Sequence, residues 1–238
     1  YRAFLHTLKA AGAEPRGLRL RIDSDIPRSR GLGSSAACVV GGILGADRLY
    51  SLGLSREDLL RLATELEGHP DNAAPAIYGG LSVSLTEDGR ALSLPCDVHP
   101  SLKFLALVPN FELSTSAARA ALPQSVSLQD AVFNLSHAAF LIKALENGEP
   151  GLIRAAMQDR LHQDARFALI PGAAELKARM EEAGAVACCL SGAGPTLLCL
   201  YAEEEFPSKA GEIIGEEFPG VAVMPLELCA EGAAVMAE

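Results

Sequence analysis

The sequence predicts an α+β fold, and three observations carry that expectation. Strand-like apolar runs come in adjacent pairs joined by short turns, at residues 81–94 and 186–201. Residues 128–180 keep a helical apolar period over a length no strand reaches. Strand and helix do not alternate steadily, as a parallel sheet would require.

Residues 1–13 place Phe4, Leu5 and Leu8 at helical spacing, and Gly12 stops the helix. Residues 18–22 alternate apolar residues with arginines, which predicts a half-buried strand. A loop from Pro27 leads into a predicted helix over residues 34–52. Ser55 caps the next helix with Asp58 in capping-box position, and that helix ends near Glu67 and Gly68. Residues 81–85 and 91–94 form a hairpin across Glu87, Asp88 and Gly89. Residues 102–108 are an apolar run fit for a buried strand. The long helical region breaks at residues 148–151 and at Pro171-Gly172. Residues 186–190, a Ser-Gly-Ala-Gly-Pro loop and residues 196–201 make strand, turn and strand. A helix over 207–217 and a strand over 221–225 follow. No repeats or low-complexity linkers interrupt the pattern.

The 238 residues are 49% hydrophobic and 21% charged, which suits a packed core and excludes a disordered chain. The net charge is −10, against a general nucleic-acid binder, which needs a basic surface to neutralise phosphates. An acidic protein still holds a phosphate ligand where backbone amides converge in one loop. The six cysteines form no CxxC pair, and reduced thiols are expected. No apolar stretch is long enough to span a membrane, and the first residues form an amphipathic helix rather than a signal peptide.

Gly31-Leu32-Gly33-Ser34-Ser35-Ala36 opens a helix. Glycines let backbone approach a ligand closely, and the N–H groups and dipole of a helix N-terminus favour an anion. Ser34 and Ser35 add hydroxyls for a phosphate or Mg²⁺. The loop alone equally describes a Ser-capped helix after a tight turn. It also fits the dinucleotide pattern G-x-G-x-x-A. However, residues 25–30 separate it from the preceding strand, and the region of residues 51–57 is a turn rather than a strand tip. No lysine follows Gly33, so it is not a Walker A loop.

Glu65, Glu67, His69, Asp71 and Asn72 crowd into eight residues. Carboxylates suit a hard cation or a substrate ammonium, and the remaining groups suit hydrogen bonding to a small polar molecule. A solvated loop after an amphipathic helix explains the cluster equally well. Arg119 and Arg166 have the fork that binds carboxylate or phosphate, though a lone arginine is usually a surface residue. Ser191-Gly192-Ala193-Gly194-Pro195-Thr196 is a hairpin turn unless its context makes it more.

Together these segments resemble the GHMP kinases. Pro27, Gly31, Leu32, Gly33, Ser34, Ser35 and Ala36 match the family's second motif, which wraps a triphosphate. Residues 67–72 and Ala74-Pro75-Ala76, with Gly79-Gly80, look like the homoserine kinase branch. Ser114-Thr115, Ala118-Arg119, residues 131–136 and Asp159-Arg160-Leu161-His162-Gln163 with Arg166 look like it too. Asp164 stands where relatives often carry proline. The Ser191–Thr196 turn resembles the third motif.

The resemblance implies a two-lobed GHMP fold. An N-terminal lobe over residues 1–95 carries the phosphate loop, and a C-terminal ferredoxin-like lobe covers residues 96–238. It implies ATP-dependent, in-line phosphorylation of L-homoserine in the cytoplasm as a step of threonine biosynthesis. It implies Mg²⁺ on Ser35 and Glu67, with Glu65 as second choice, and phosphate contacts at residues 27, 31–36, Thr115, Gly192 and Gly194. His69, Asp71, Asn72, Arg119 and Arg166 would meet homoserine, with Arg119 also near the reaction centre. The expected partners are ATP and homoserine, with neither nucleic acid nor membrane, and a homodimer is left open. The family's first motif, Ala-Asn-Leu-Gly-Pro-Gly-Phe-Asp, is not found in these residues, so the first strands of the N-terminal lobe are expected to be missing. Another GHMP small-molecule kinase and a non-catalytic nucleotide-binding relative are the alternatives.

Overall fold

A computed structural model describes residues 1–236. The chain divides into two compact units, one formed by Tyr1–Ile26, Gly33–Asp97 and the chain from Cys229, the other by Pro27–Leu32 and Val98–Leu228.

The first unit begins with helix α1 (Arg2–Ala10), whose buried face carries Ala3, Phe4, Thr7 and Leu8. Residues 18–22 form no strand, contrary to expectation. Their alternating pattern has the right period, but among the described residues no strand pairs with them. Leu20 and Ile22 stand more than half exposed, at 55% and 56%. Strand backbone needs a ladder partner for its N–H and C=O groups, and pattern alone supplies none.

Helix α2 (Ser34–Tyr50) buries Ala36, Val40, Ile43 and Ala46. Helix α3 (Arg56–Glu67) starts with both halves of the capping box: Ser55 accepts the Asp58 N–H, and Asp58 accepts the Ser55 N–H. It ends at Gly68 in the left-handed conformation. A short helix, α4 (Ala73–Tyr78), follows where Pro75 had hidden a helical turn from the sequence pattern. Strands β1 (Leu81–Glu87) and β2 (Arg90–Cys96) pair antiparallel across Asp88-Gly89, both at positive φ, as a tight hairpin demands. Ile43, Leu60, Leu62 and Ile77 form the centre of this unit's core. Each such side chain contributes roughly 1.5–3 kcal/mol on burial. The chain from Cys229 returns here, with Cys229 O accepting from Gly80 N at 2.7 Å.

The second unit holds a four-stranded antiparallel sheet of order β4-β5-β3-β6. Strand β3 (Lys103–Pro109) is its buried centre. Helices α5 (Thr115–Ala120), α6 (Leu128–Asn147), α7 (Pro150–Ala156), α8 (Gln163–Phe167) and α9 (Ala173–Ala183) connect it to β4 (Ala187–Leu190). A turn leads to β5 (Leu197–Tyr201), and α10 (Phe206–Glu217) crosses to β6 (Val221–Leu226). This is the ferredoxin-like split-βαβ topology. Leu105, Leu107, Met180, Leu197 and Phe206 are fully enclosed between the sheet and its helices. The break between α7 and α8, which the helical period did not foresee, has a local cause. Asp159 Oδ2 accepts the N–H groups of Leu161, His162 and Gln163 at 3.2, 2.8 and 2.7 Å. Such side-chain bonding competes with the helical ladder.

All six cysteines are free. Among the described residues no helix is long and apolar enough to cross a membrane.

Candidate active site

In the first unit, Gly33 precedes α2 with φ 73°, and no side chain caps the helix. The amides of the first turn of this long helix therefore retain their donor capacity and the positive end of its dipole. Ser34 and Ser35 sit in that turn, and Ala36 behind them is buried in the core. Ser35 Oγ donates to Glu67 Oε1 at 2.7 Å. Glu67 is the last residue of α3, and Gly68 turns the chain away after it.

Glu65 is engaged elsewhere. Its carboxylate meets His6 Nε2 at 2.8 Å and Arg61 Nη1 at 2.9 Å. Burial pushes the Glu65 carboxyl up, while the hydrogen bonds from His6 and Arg61 outweigh it and hold the group below its usual value. Two residues on, Glu67 faces a different side of the helix, and it is Glu67 that converges with Ser35. Beyond Gly68, His69 Nδ1 and Asp71 Oδ1 are hydrogen-bonded, and Asp71 Oδ1 also accepts the Asn72 N–H at 2.9 Å. A Cβ added at Gly33 would lie 3.9 Å from Asn72 Oδ1, so Asn72 borders the start of α2.

The second unit holds the front half of the glycine loop, with Pro27 and Leu32 partly buried in it. Gly31 has φ 79°, and a Cβ there would meet Ser191 O at 2.2 Å and Gly194 O at 2.9 Å. No side chain fits against those backbone atoms. Ser191 Oγ donates to Gly31 O at 2.8 Å, and Thr196 N donates to Arg30 O at 3.3 Å. The Gly192 and Gly194 turn is thus packed onto the glycine loop as more than a hairpin. Arg30 Nε donates to Pro109 O at 3.0 Å and ties the same loop to the end of β3.

Thr115 stands exposed at the first position of α5, and Arg119 lies one turn further on. Arg166, at the end of α8, donates from Nη1 to Gly192 O at 3.0 Å and to His162 Nδ1 at 3.3 Å. Its Nε is buried with no hydrogen-bond partner. Burial pulls the Arg166 guanidinium below its usual value, Asp159 pulls it back up, and Arg119 lowers it further. Two guanidinium groups within electrostatic reach of one another, one with an orphaned buried N–H, form an arrangement that an anion would satisfy.

The surroundings of Arg166 were quoted from sequence only as part of the family resemblance and were given no role there. Asp159, whose side chain is only 7% exposed, lies beside His162. Asp159 Oδ1 accepts Asn134 Nδ2 at 2.7 Å, and Asn134 Oδ1 accepts Arg160 N at 2.9 Å. Burial pushes the Asp159 carboxyl up, but the N–H groups of Gln163 and His162 and the Asn134 amide outweigh it, so it sits below its usual value. Burial pushes the His162 imidazole down, Asp159 pulls it partly back up, and Arg166 lowers it again, so it sits below its usual value. Arginine only donates, so His162 Nδ1 accepts and the proton of the neutral ring sits on Nε2, toward Asp159. The sequence offered these residues as two separate segments of the resemblance, and nothing short-range shows that Asp159 and Asn134 meet.

Residues 1–80 match the family description "GHMP kinases N terminal domain", and residues 141–220 match "GHMP kinases C terminal". A homoserine kinase of Clostridium beijerinckii is 42% identical over 90% of this chain and 73% of its own length. One from Clostridium botulinum is 47% identical over 82% of this chain and 65% of its own. The chain therefore spans about two thirds to three quarters of these relatives' length. The crystal structure of a homoserine kinase from Cytophaga hutchinsonii superposes with a TM-score of 0.84 at 29% identity, covering 97% of this chain and 76% of that one.

Proposed function

The chain belongs to the homoserine kinase family of GHMP kinases, and we propose that it transfers the γ-phosphoryl group of ATP to the side-chain hydroxyl of L-homoserine. The identity to proteins named homoserine kinase, over most of this chain, carries the choice of substrate. The convergence of Ser35 with Glu67 supports the reaction type.

In this reading the homoserine hydroxyl oxygen forms a bond to the γ-phosphorus as the bond to the ADP oxygen breaks. The backbone amides of Gly31, Leu32, Gly33, Ser34 and Ser35, at the start of α2, hold the phosphates, with Pro27 and Ala36 shaping the loop. The Gly192 and Gly194 turn braces it through Gly31. Thr115 adds a hydroxyl near the phosphate. The donor set fits Mg²⁺: a hydroxyl and a carboxylate oxygen 2.7 Å apart suit an ion that takes one or two protein oxygens and fills the rest with water and phosphate. Ser35 and Glu67 would hold it, and when bound it neutralises charge developing on the transferring group. Asp71, His69 and Asn72 receive the homoserine ammonium end. Arg166 and Arg119 receive its carboxylate, and Arg119 also faces the phosphoryl group, where the orphaned Arg166 Nε supports an anionic ligand.

The reading carries ATP and Mg²⁺ as cofactors, homoserine as partner, and a cytoplasmic role in threonine biosynthesis. It takes residues 1–95 and 96–238 as the two lobes. Phosphorus NMR after incubation with MgATP and homoserine tests it. A new phosphomonoester signal that depends on homoserine supports it. ATP hydrolysis without that ester, or no turnover by the full-length gene product, overturns it.

A further inference from the structure

We propose that Asp159, held by Asn134, is the positioning residue for Arg166. This rests on the reading of Arg166 as a homoserine carboxylate ligand. The connection is continuous within the second unit. Asp159 accepts three successive N–H groups leading into α8 and so anchors the start of that one-turn helix. The N-cap residue of α8, His162, provides no side-chain cap of its own. From the far end of α8, Arg166 reaches back to His162 and across to Gly192 O. Gln163, buried, accepts Leu190 N at 2.9 Å and pins the same helix to the strand that leads into the Gly192 turn. The guanidinium and the carbonyl it contacts are therefore set by one frame, and Asp159 is its hub.

The two side chains at the hub are both hydrogen-bonded. Asp159 Oδ1 takes the Asn134 amide N–H, and the Asn134 amide oxygen takes Arg160 N. Helix α6 thereby fixes the turn that precedes α8. Asp159 also places a negative charge within reach of Arg166, against the positive charge of Arg119. Asp159 touches no substrate in this scheme. It acts by holding one rotamer of Arg166, so its loss should act on homoserine and spare ATP.

Three variants test this: Asp159→Asn, Asn134→Ala, and the exchange Asn134→Asp with Asp159→Asn, which restores the donor–acceptor match between the two side chains and keeps an oxygen for the backbone N–H groups. Asp159→Asn should raise the Michaelis constant for homoserine about tenfold or more, as small displacements of a binding group do, and leave that for ATP within about twofold. Asn134→Ala should give a smaller rise of the same selectivity, and the exchange should recover most of the loss. The Nε–H signal of Arg166 in ¹⁵N NMR should move in both single variants and return in the exchange. Equal rises for both substrates, no change in either, or an unmoved Arg166 signal would overturn the proposal. If Asp159→Asn does not fold, Asn134→Ala and the Arg166 signal decide alone. If the wild type does not turn over homoserine, the functional reading fails, while the Arg166 signal still decides the positioning claim.

Discussion

Ser35 Oγ and Glu67 Oε1 lie 2.7 Å apart, joining the first turn of one helix to the last residue of the next. Nothing in a loop capped by serine alone requires that pairing. The two side chains hydrogen-bond directly, and in the proposed reading they share a cation and act as one unit. Ser35→Ala and Glu67→Ala should each lower the rate by about 10²-fold or more and raise the Mg²⁺ requirement, with little change in melting temperature. Glu65→Gln is the contrasting control. It loses its contacts to His6 and Arg61, at a cost of about 0.2–1 kcal/mol in stability, and should leave the Mg²⁺ dependence unchanged. Initial rates across a Mg²⁺ titration check all three. Equal behaviour of the Glu65 and Glu67 variants would refute the metal assignment.

Gly31 is predicted to tolerate no side chain. A Cβ there would meet Ser191 O at 2.2 Å, and its φ of 79° is left-handed. Gly31→Ala should cost about 1–3 kcal/mol from backbone strain alone and raise the ATP Michaelis constant as the loop shifts. Gly17→Ala, where a Cβ meets nothing within 4 Å, should do neither. Thermal melts and ATP saturation curves on the two variants provide the comparison.

Arg166→Leu should weaken homoserine by about 30-fold or more, since truncating one partner of a desolvated charge pair costs roughly 2–5 kcal/mol. ATP should be nearly unaffected. A homoserine constant that stays put, or an ATP constant that rises in parallel, removes Arg166 from the proposed substrate contacts.

The Asp159 carboxyl predicts a pH dependence of stability. Its folded-state value lies below its unfolded value of about 3.9, so the stabilisation is present above that pH. It is lost as pH falls through the folded value. Wild type and Asp159→Asn should therefore differ in denaturation midpoint at neutral pH and converge in strong acid. A gap that stays constant down to pH 2 would mean that the charge of Asp159 contributes nothing.

What the sequence made legible was local. The capping box of Ser55 and Asp58, the Asp88-Gly89 turn and the glycines around Ser34 each state their geometry within a few residues. Residues 18–22 failed because a strand depends on a partner elsewhere, and helix α4 was hidden by Pro75 at its start. The preference for Glu67 over Glu65 came from the resemblance alone, because the contacts of the two side chains, to Ser35 and to His6, are distant in sequence. Asp159 was invisible as a hub for the same reason: Asn134 and Arg166 stand on separate helices, and no short motif joins them.

The central claim is phosphoryl transfer to homoserine, and a competition assay tests it most directly. The full-length gene product is given MgATP with equal amounts of homoserine, mevalonate and galactose, and the phosphorylated products are quantified by mass spectrometry. The account predicts that O-phosphohomoserine dominates and that its yield collapses in Glu67→Ala. Phosphomevalonate or galactose phosphate as the main product, or a yield indifferent to Glu67, would contradict it.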